Sequence, residues 1–242
     1  MTYCIGMRLD AGMVFLSDSR TNAGVDHINT FRKMNVFQRP GDRVMVLMSS
    51  GNLAITQSLV STLKEAMAAS DERDSLWTVP NMFEAAIHVG NTLRALYQRD
   101  ADALKNFGVD FNCGLILGGQ IRGEEPRLFN IYAAGNFIEA TRDTPYFQIG
   151  ESKYGKPIID RVLNFNTSLE TAMQCALISI DSTLRSNLSV GLPLDALIYP
   201  KDSFSAAQQY RITEKHPHFL ALRQAWGEGL QKIFSQLPPF DL

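Results

Sequence analysis

Cysteine is scarce in this chain of 242 residues: Cys4, Cys113 and Cys175 are odd in number, scattered, and without metal-knuckle spacing, which excludes a disulfide framework or a zinc knuckle. Histidine is scarce too, with only His27, His88, His216 and His218, and the His216-Pro217-His218 run reads as a helix entry rather than a metal site. Neither a metal nor an organic cofactor is expected. Charge of one sign is also lacking: a net charge of −2 and a pI near 6.1 give no electrostatic reason for a nucleic acid partner. No apolar run is long enough to span a bilayer, and the start of the chain has no charged region backed by an apolar one. No membrane partner is expected, and a reducing cytoplasm is the expected location.

What is present is an ordinary globular mixture, 45% hydrophobic and 20% charged. No repeat, low-complexity run or linker divides it, so residues 1–242 are read as one domain. The opening reads as a strand Thr2–Leu9, a three-residue loop Asp10-Ala11-Gly12, and a returning strand Met13–Asp18. A loop over Asn22–Asp26 leads to an extended run Ile28–Gln38. The Arg39-Pro40-Gly41-Asp42 turn leads to the buried run Val44–Met48. Helical spacing follows over Leu53–Ala69 and Asn81–Asp102, separated by the polar insert Ser70–Ser75. Strands return at Asp110–Leu117, with Gly118-Gly119 beginning a hairpin to Arg127–Tyr132, and shorter ones at Phe137–Ala140 and Tyr146–Ile149. Helices follow at Pro157–Leu163 and Ser168–Arg185, strands at Leu194–Pro200 and Gln208–Ile212, and a last helix through Phe219, Leu222, Trp226, Leu230 and Ile233. By itself this order supports an α+β class with mostly antiparallel pairing.

The chemistry concentrates at the beginning. A threonine directly behind the initiator methionine can be left with a free α-amine when the methionine is removed. A threonine hydroxyl is a poor nucleophile unless a base takes its proton, and its own amine, with an ordinary pKa of about 7.7–8.0, is such a base. A lysine close by would lower the pKa of both groups, and a carboxylate would hold that lysine. Lys33 and Asp18 are the candidates. With a three-residue loop Cys4 faces Asp18 and Thr2 faces Arg20, so Thr2 and Asp18 are diagonal neighbours; a two-residue loop would turn Asp18 to the other face.

Thr2, the Asp18-Ser19-Arg20 run at the end of the hairpin and Lys33 on the following strand resemble, in order and nearly in spacing, the start of proteasome β-type subunits, members of the N-terminal nucleophile hydrolases. The similarity extends to Gly51-Asn52-Leu53-Ala54-Ile55-Thr56-Gln57, with Ile55 in place of an aspartate usual there. In that family the glycine after the buried strand offers its N–H to an oxyanion, a role that unsatisfied N–H groups at a helix start can fill. Two weaker matches are Gly150-Glu151-Ser152, with Glu151 where serine is expected, and Asp181 through Ser186, with Leu184 where a second serine would stand. The opening, the chain length and the long last helix are most similar to a bacterial, ancestral type of β subunit, which would have no propeptide and would expose Thr2 through a methionine aminopeptidase.

The resemblance implies a four-layer αββα sandwich of two mainly antiparallel sheets flanked by helices, in which Thr2, Asp18, Lys33, Gly51 and Asp181 are catalytic or support catalysis. Ser49 and Leu53, beside Gly51, are expected to contact substrate. It further implies a threonine-type peptidase acting on peptides or unfolded protein without a cofactor, in a homo-oligomeric ring or spiral; an ATPase partner is left open. Two rivals remain at this point, an amidase on small-molecule amides and a non-catalytic assembly subunit. Retention of Met1 would favour the latter, because it would tie up the Thr2 amine.

Overall fold

A computed structural model describes residues 1–23, 27–69 and 74–240. The chain opens with β1 (Tyr3–Leu9), β2 (Gly12–Asp18), β3 (Arg20–Ala23), β4 (His27–Thr30), β5 (Met34–Arg39) and β6 (Arg43–Gly51), followed by α1 (Leu53–Ala68) and α2 (Met82–Asn106). It continues through β7 (Cys113–Ile121), β8 (Arg127–Ile131), β9 (Phe137–Glu139) and β10 (Tyr146–Gly150) to α3 (Lys156–Val162) and α4 (Leu169–Ser186). The chain finishes with β11 (Leu194–Pro200), β12 (Gln209–Ile212) and α5 (Pro217–Phe234).

Two five-stranded antiparallel sheets result, ordered β10-β1-β2-β11-β12 and β5-β6-β7-β8-β9, with β3 and β4 forming a separate ribbon. Three apolar layers hold them together. Phe37, Met45 and Leu47 of one sheet pack under Leu59, Leu63, Ala86 and Leu93 of α1 and α2. Tyr3, Ile5, Val14 and Leu16 of the other pack under Ala172, Ala176 and Ile180 of α4 and Phe219 of α5. Cys4, Met13, Phe15, Val46, Met48 and Ile116 fill the space between the sheets. Strand residues alternate between the two apolar layers, as period-two geometry requires. The architecture is the expected αββα sandwich.

The local departures have identifiable causes. The first hairpin has a two-residue loop: Leu9 pairs with Gly12 and Cys4 with Ser17, one step away from the expected register. Gly12 belongs to β2 because β11 passes close behind it: a Cβ there would lie 2.1 Å from the Tyr199 carbonyl oxygen. The extended run expected over Ile28–Gln38 is two strands in different sheets, interrupted at residues 31–33, and part of the loop expected over Asn22–Asp26 pairs as β3. Residues 24–26 of that loop and residues 70–73 of the polar insert lie outside the described residues.

Gly118 and Gly119 do not begin a hairpin. β7 runs through both to Ile121, because the sheets meet there so closely that a Cβ on Gly118 would lie 2.7–2.8 Å from Leu128, Met13 and Phe15. The last helix likewise continues through Gly227 and Gly229 to Phe234. Helical ends carry their side-chain caps where expected: Asn52 Oδ1 accepts from the Ala54 and Ile55 N–H, Asn81 from Glu84, and Ser168 from Thr171.

Candidate active site

Thr2 lies at the entry to β1 and is 7% exposed. Its carbonyl oxygen accepts the Glu151 N–H at 2.6 Å, which ties the start of the chain to the turn after β10. Only glycine fits before that turn, since Gly150 has φ +83° and a Cβ on it would lie 2.0 Å from the Thr2 carbonyl oxygen. Glu151 is itself buried, and its carboxylate accepts from the Asn187 side-chain amide at 2.9 Å, so the turn is tied in addition to the loop after α4.

Asp18 reaches the site by a route different from the expected one. The shorter loop places it next to Tyr3 in register, and its position at the end of β2 lets the carboxylate accept the Tyr3 N–H at 2.9 Å. The second oxygen accepts the Gly191 N–H at 3.3 Å. Lys33 completes the arrangement: Nζ donates to Asp18 Oδ1 at 2.5 Å and to the Arg20 carbonyl oxygen at 2.7 Å. Asp18 is fully buried and Lys33 is 7% exposed, so the pair is almost water-free. Burial pushes the Asp18 carboxyl above the ordinary carboxylate range, against the downward pull of the Lys33 ammonium and the two N–H donors. The interruption between β4 and β5 is what allows Lys33 to turn inward, and Ser49 N–H fixes it by donating to the Lys33 carbonyl oxygen at 3.1 Å.

Thr2 and Lys33 face one cavity of about 880 Å³, which Ser49, Gly51 and Leu53 also line. Gly51 ends β6 with φ +104°, and a Cβ there would lie 2.3 Å from the Asn112 carbonyl oxygen, so β7 leaves room for glycine alone. The Asn52 N–H donates to that same Asn112 oxygen at 2.8 Å, fixing the start of α1 over the cavity. Five of the residues expected from the sequence are thus gathered: Thr2, Lys33, Ser49, Gly51 and Leu53 on the wall, with Asp18 directly behind Lys33.

Asp181 is placed elsewhere. It faces α5, where its carboxylate meets Arg223 at 2.5 Å and Arg185 at 3.4 Å, and it does not line the cavity. The Arg223 contact is a close ion pair without hydrogen-bond alignment at that oxygen. A helix of 18 residues turns its buried face to β2 and its flank to α5, and Asp181 falls on the flank. Ser152 serves the start of α3 through its carbonyl oxygen, which accepts the Lys156 N–H at 2.9 Å. In their stead the chain supports Thr2 and Asp18 with the main chain of Glu151 and Gly191. No periodicity marks such contacts, which join residues about as far apart as 18 and 191.

Comparison with known proteins decides the family. The model of the family described as Proteasome subunit matches residues 2–192. The chain belongs to the proteasome subunit family. A search of curated proteins returned no match. Among solved structures, Anbu (ancestral beta-subunit) from Yersinia bercovieri is 63% identical, with a TM-score of 0.93 and 99% of each chain covered. Anbu from Hyphomicrobium sp. strain MC1 is 48% identical with a TM-score of 0.92, covering 99% of this chain and 100% of that one. A structure described as the helical assembly of the Anbu complex from Pseudomonas aeruginosa is also 48% identical, with a TM-score of 0.94, covering 99% of this chain and 98% of that one. This proteasome subunit is therefore similar to Anbu proteins over its whole length.

Among the described residues no group of three or more His, Cys, Asp or Glu side chains could hold a metal ion. The Cys4 thiol is buried beside the site, donates to the Ser49 carbonyl oxygen at 3.7 Å, and is pushed far up by burial, so it is not a ready nucleophile. Among the described residues no helix is long and apolar enough to cross a membrane.

Proposed function

We propose that this proteasome subunit is a threonine-type peptidase that acts from Thr2 once Met1 has been removed. The observation that carries the reading is the buried Lys33–Asp18 pair, 2.5 Å apart, behind a cavity that Thr2, Lys33 and Gly51 share. In the mechanism the Thr2 hydroxyl oxygen attacks a peptide carbonyl carbon while the Thr2 α-amine takes the hydroxyl proton. The Lys33 ammonium favours the neutral amine and the developing alkoxide, and Asp18 holds that ammonium in place. The Gly51 N–H stabilises the oxyanion of the tetrahedral intermediate, which collapses by expelling the amine half of the substrate with the transferred proton. Water, deprotonated by the same amine, then hydrolyses the ester on Thr2 and releases the acid half.

Met1 is 59% exposed at the mouth of the same cavity, a position open to an aminopeptidase. While Met1 is attached the Thr2 nitrogen is in a peptide bond and cannot act as base, so in this reading processing is the switch between an inert and an active site. Substrates would be peptides or unfolded protein, as membership of the proteasome subunit family suggests, and a cavity of about 880 Å³ has room for a short peptide segment.

Assembly into a homo-oligomer belongs to the same proposal. The relative from Pseudomonas aeruginosa is described as a helical assembly. Here Leu230, Ile233, Phe234, Leu237 and Phe240, on and after the end of α5, are all exposed, an apolar surface that further copies of the chain would cover. Molar mass by light scattering tests this; a monomer at all concentrations would contradict it.

The reading is tested by intact mass of the purified protein before and after treatment with a peptide vinyl sulfone. Loss of one methionine and gain of one probe, with the Thr2→Ala protein unlabelled, is the expected result. A protein that keeps Met1 and takes no probe would instead be a non-catalytic assembly subunit.

A further inference from the structure

The substrate cavity has an electrostatic sign that the chain as a whole does not. The protein is slightly acidic overall, yet among the described residues the cavity wall carries Arg32, Lys33 and Lys64 and no Asp or Glu. The charge of Lys33 is matched by Asp18 at 2.5 Å, but Arg32 and Lys64 have no carboxylate partner among the described residues. A further contribution comes from α1, whose N-terminus adjoins the cavity beside Gly51: its first turn contains no acidic residue, and Asn52 caps it with a neutral amide, so the positive end of the helix dipole is not offset. The rest of the described wall is neutral and largely polar, with Ser49 and Gln57 able to donate hydrogen bonds to a carboxylate.

We infer that the cavity selects peptides carrying an acidic side chain next to the bond that is cut, with Arg32 and Lys64 as the residues that set this preference. The inference rests on the peptidase reading above and narrows it to a substrate class. Arg32 stands beside Lys33 in the chain, on the break between β4 and β5. Lys64 lies on the cavity face of α1, two turns beyond Gln57. A carboxylate in the cavity would be attracted by both, whereas a lysine side chain would be repelled by both. Both residues are exposed, so solvent screening limits each to roughly a fivefold effect at low salt, and the effect shrinks as the Debye length falls from about 10 Å at 0.1 M toward about 3 Å at 1 M.

The test uses three peptide vinyl sulfones that differ only in the residue before the electrophile, Glu, Gln or Lys, with rates of Thr2 labelling read by intact mass. The expected order is Glu, then Gln, then Lys, with about a tenfold or greater span at 50 mM salt that collapses to less than about threefold at 0.5 M. The double variant R32E/K64E should invert the order. Salt dependence on the unaltered protein carries the same information if that variant does not fold. Labelling of Thr2 at equal rates by all three probes would overturn the charge preference and leave the peptidase reading intact. Absence of labelling by any probe, with Met1 removed, would defeat the peptidase reading, and the inference would fall with it.

Discussion

Replacing Lys33 by methionine isolates the interaction on which the site is built. The substitution keeps an unbranched stem one atom shorter and deletes the ammonium that lies 2.5 Å from a carboxylate with no exposed surface. What remains for Asp18 is the Tyr3 N–H at 2.9 Å and the Gly191 N–H at 3.3 Å, too little to hold a bare charge in a dry interior. Breaking a buried pair from one side typically costs about 3–5 kcal/mol. Protonation of Asp18 gives the variant a way to reduce that cost, and this fixes the pH dependence. Loss of Lys33 removes a force that lowers the Asp18 pKa, so the folded value, already raised by burial, rises further above the unfolded one. Between those two values the folded state holds a proton that the unfolded state releases. The stability of the variant relative to the parent therefore falls as pH rises, by at most ~1.36 kcal/mol per unit. Urea unfolding of both proteins at pH 5.5 and 8, each fitted for ΔG, measures it. Adding Asp18→Asn to the variant should restore most of the loss, because a neutral pair needs no counter-charge. A loss under about 1 kcal/mol that does not change with pH would refute the reasoning.

Three further expectations follow from the same geometry. Gly51→Ala should destabilise the protein by about 2 kcal/mol or more and slow peptide turnover over tenfold, because φ +104° and the Asn112 carbonyl oxygen 2.3 Å away leave no room for a Cβ; thermal unfolding and kcat/KM check it. The acidic limb of kcat/KM should lie above the ordinary carboxylate range, since activity needs ionised Asp18 and burial raises its pKa; a raised folded pKa means that acid protonates Asp18 without a stability penalty from that group, so activity should fall before the fold is lost. Asp181→Asn should lower the unfolding temperature by loosening α4 from α5, whose Arg223 it holds, and should leave the rate of Thr2 labelling within about twofold.

Periodicity recorded the elements and their buried faces, since Leu59, Leu63 and Leu93 mark the inner sides of their helices and Val44–Met48 marks a strand covered on both sides, whereas the four-layer arrangement followed from the resemblance to proteasome β-type subunits. What periodicity does not record is close approach between elements. Gly12, Gly118 and Gly119 look like turn residues, but they are places where the β11 main chain, the side chains of Leu128, Met13 and Phe15, and the β6 main chain respectively come too near for a Cβ, and each misplaced a strand end or a loop. For the candidate site, the grouping of Thr2, Asp18 and Lys33 was legible because the proposed chemistry calls for those side chains, and Gly51 was legible only through the resemblance to proteasome β-type subunits. It was not legible where the main chain does the holding, as with Glu151 on Thr2 and Gly191 on Asp18, since any residue supplies an N–H. Asp181 illustrates the converse: its place in the order suggested a role that its side-chain direction, toward Arg223, does not serve.

The central claim is that Thr2 is the nucleophile, and a crystal structure of the processed protein treated with a peptide aldehyde tests it most directly. The account predicts no Met1, a covalent bond from Thr2 Oγ1 to the aldehyde carbon, and the resulting oxygen about 3 Å from the Gly51 nitrogen, with the Lys33–Asp18 pair unbroken behind it. An aldehyde bound elsewhere, or a Thr2 hydroxyl left free in a fully occupied cavity, would contradict it.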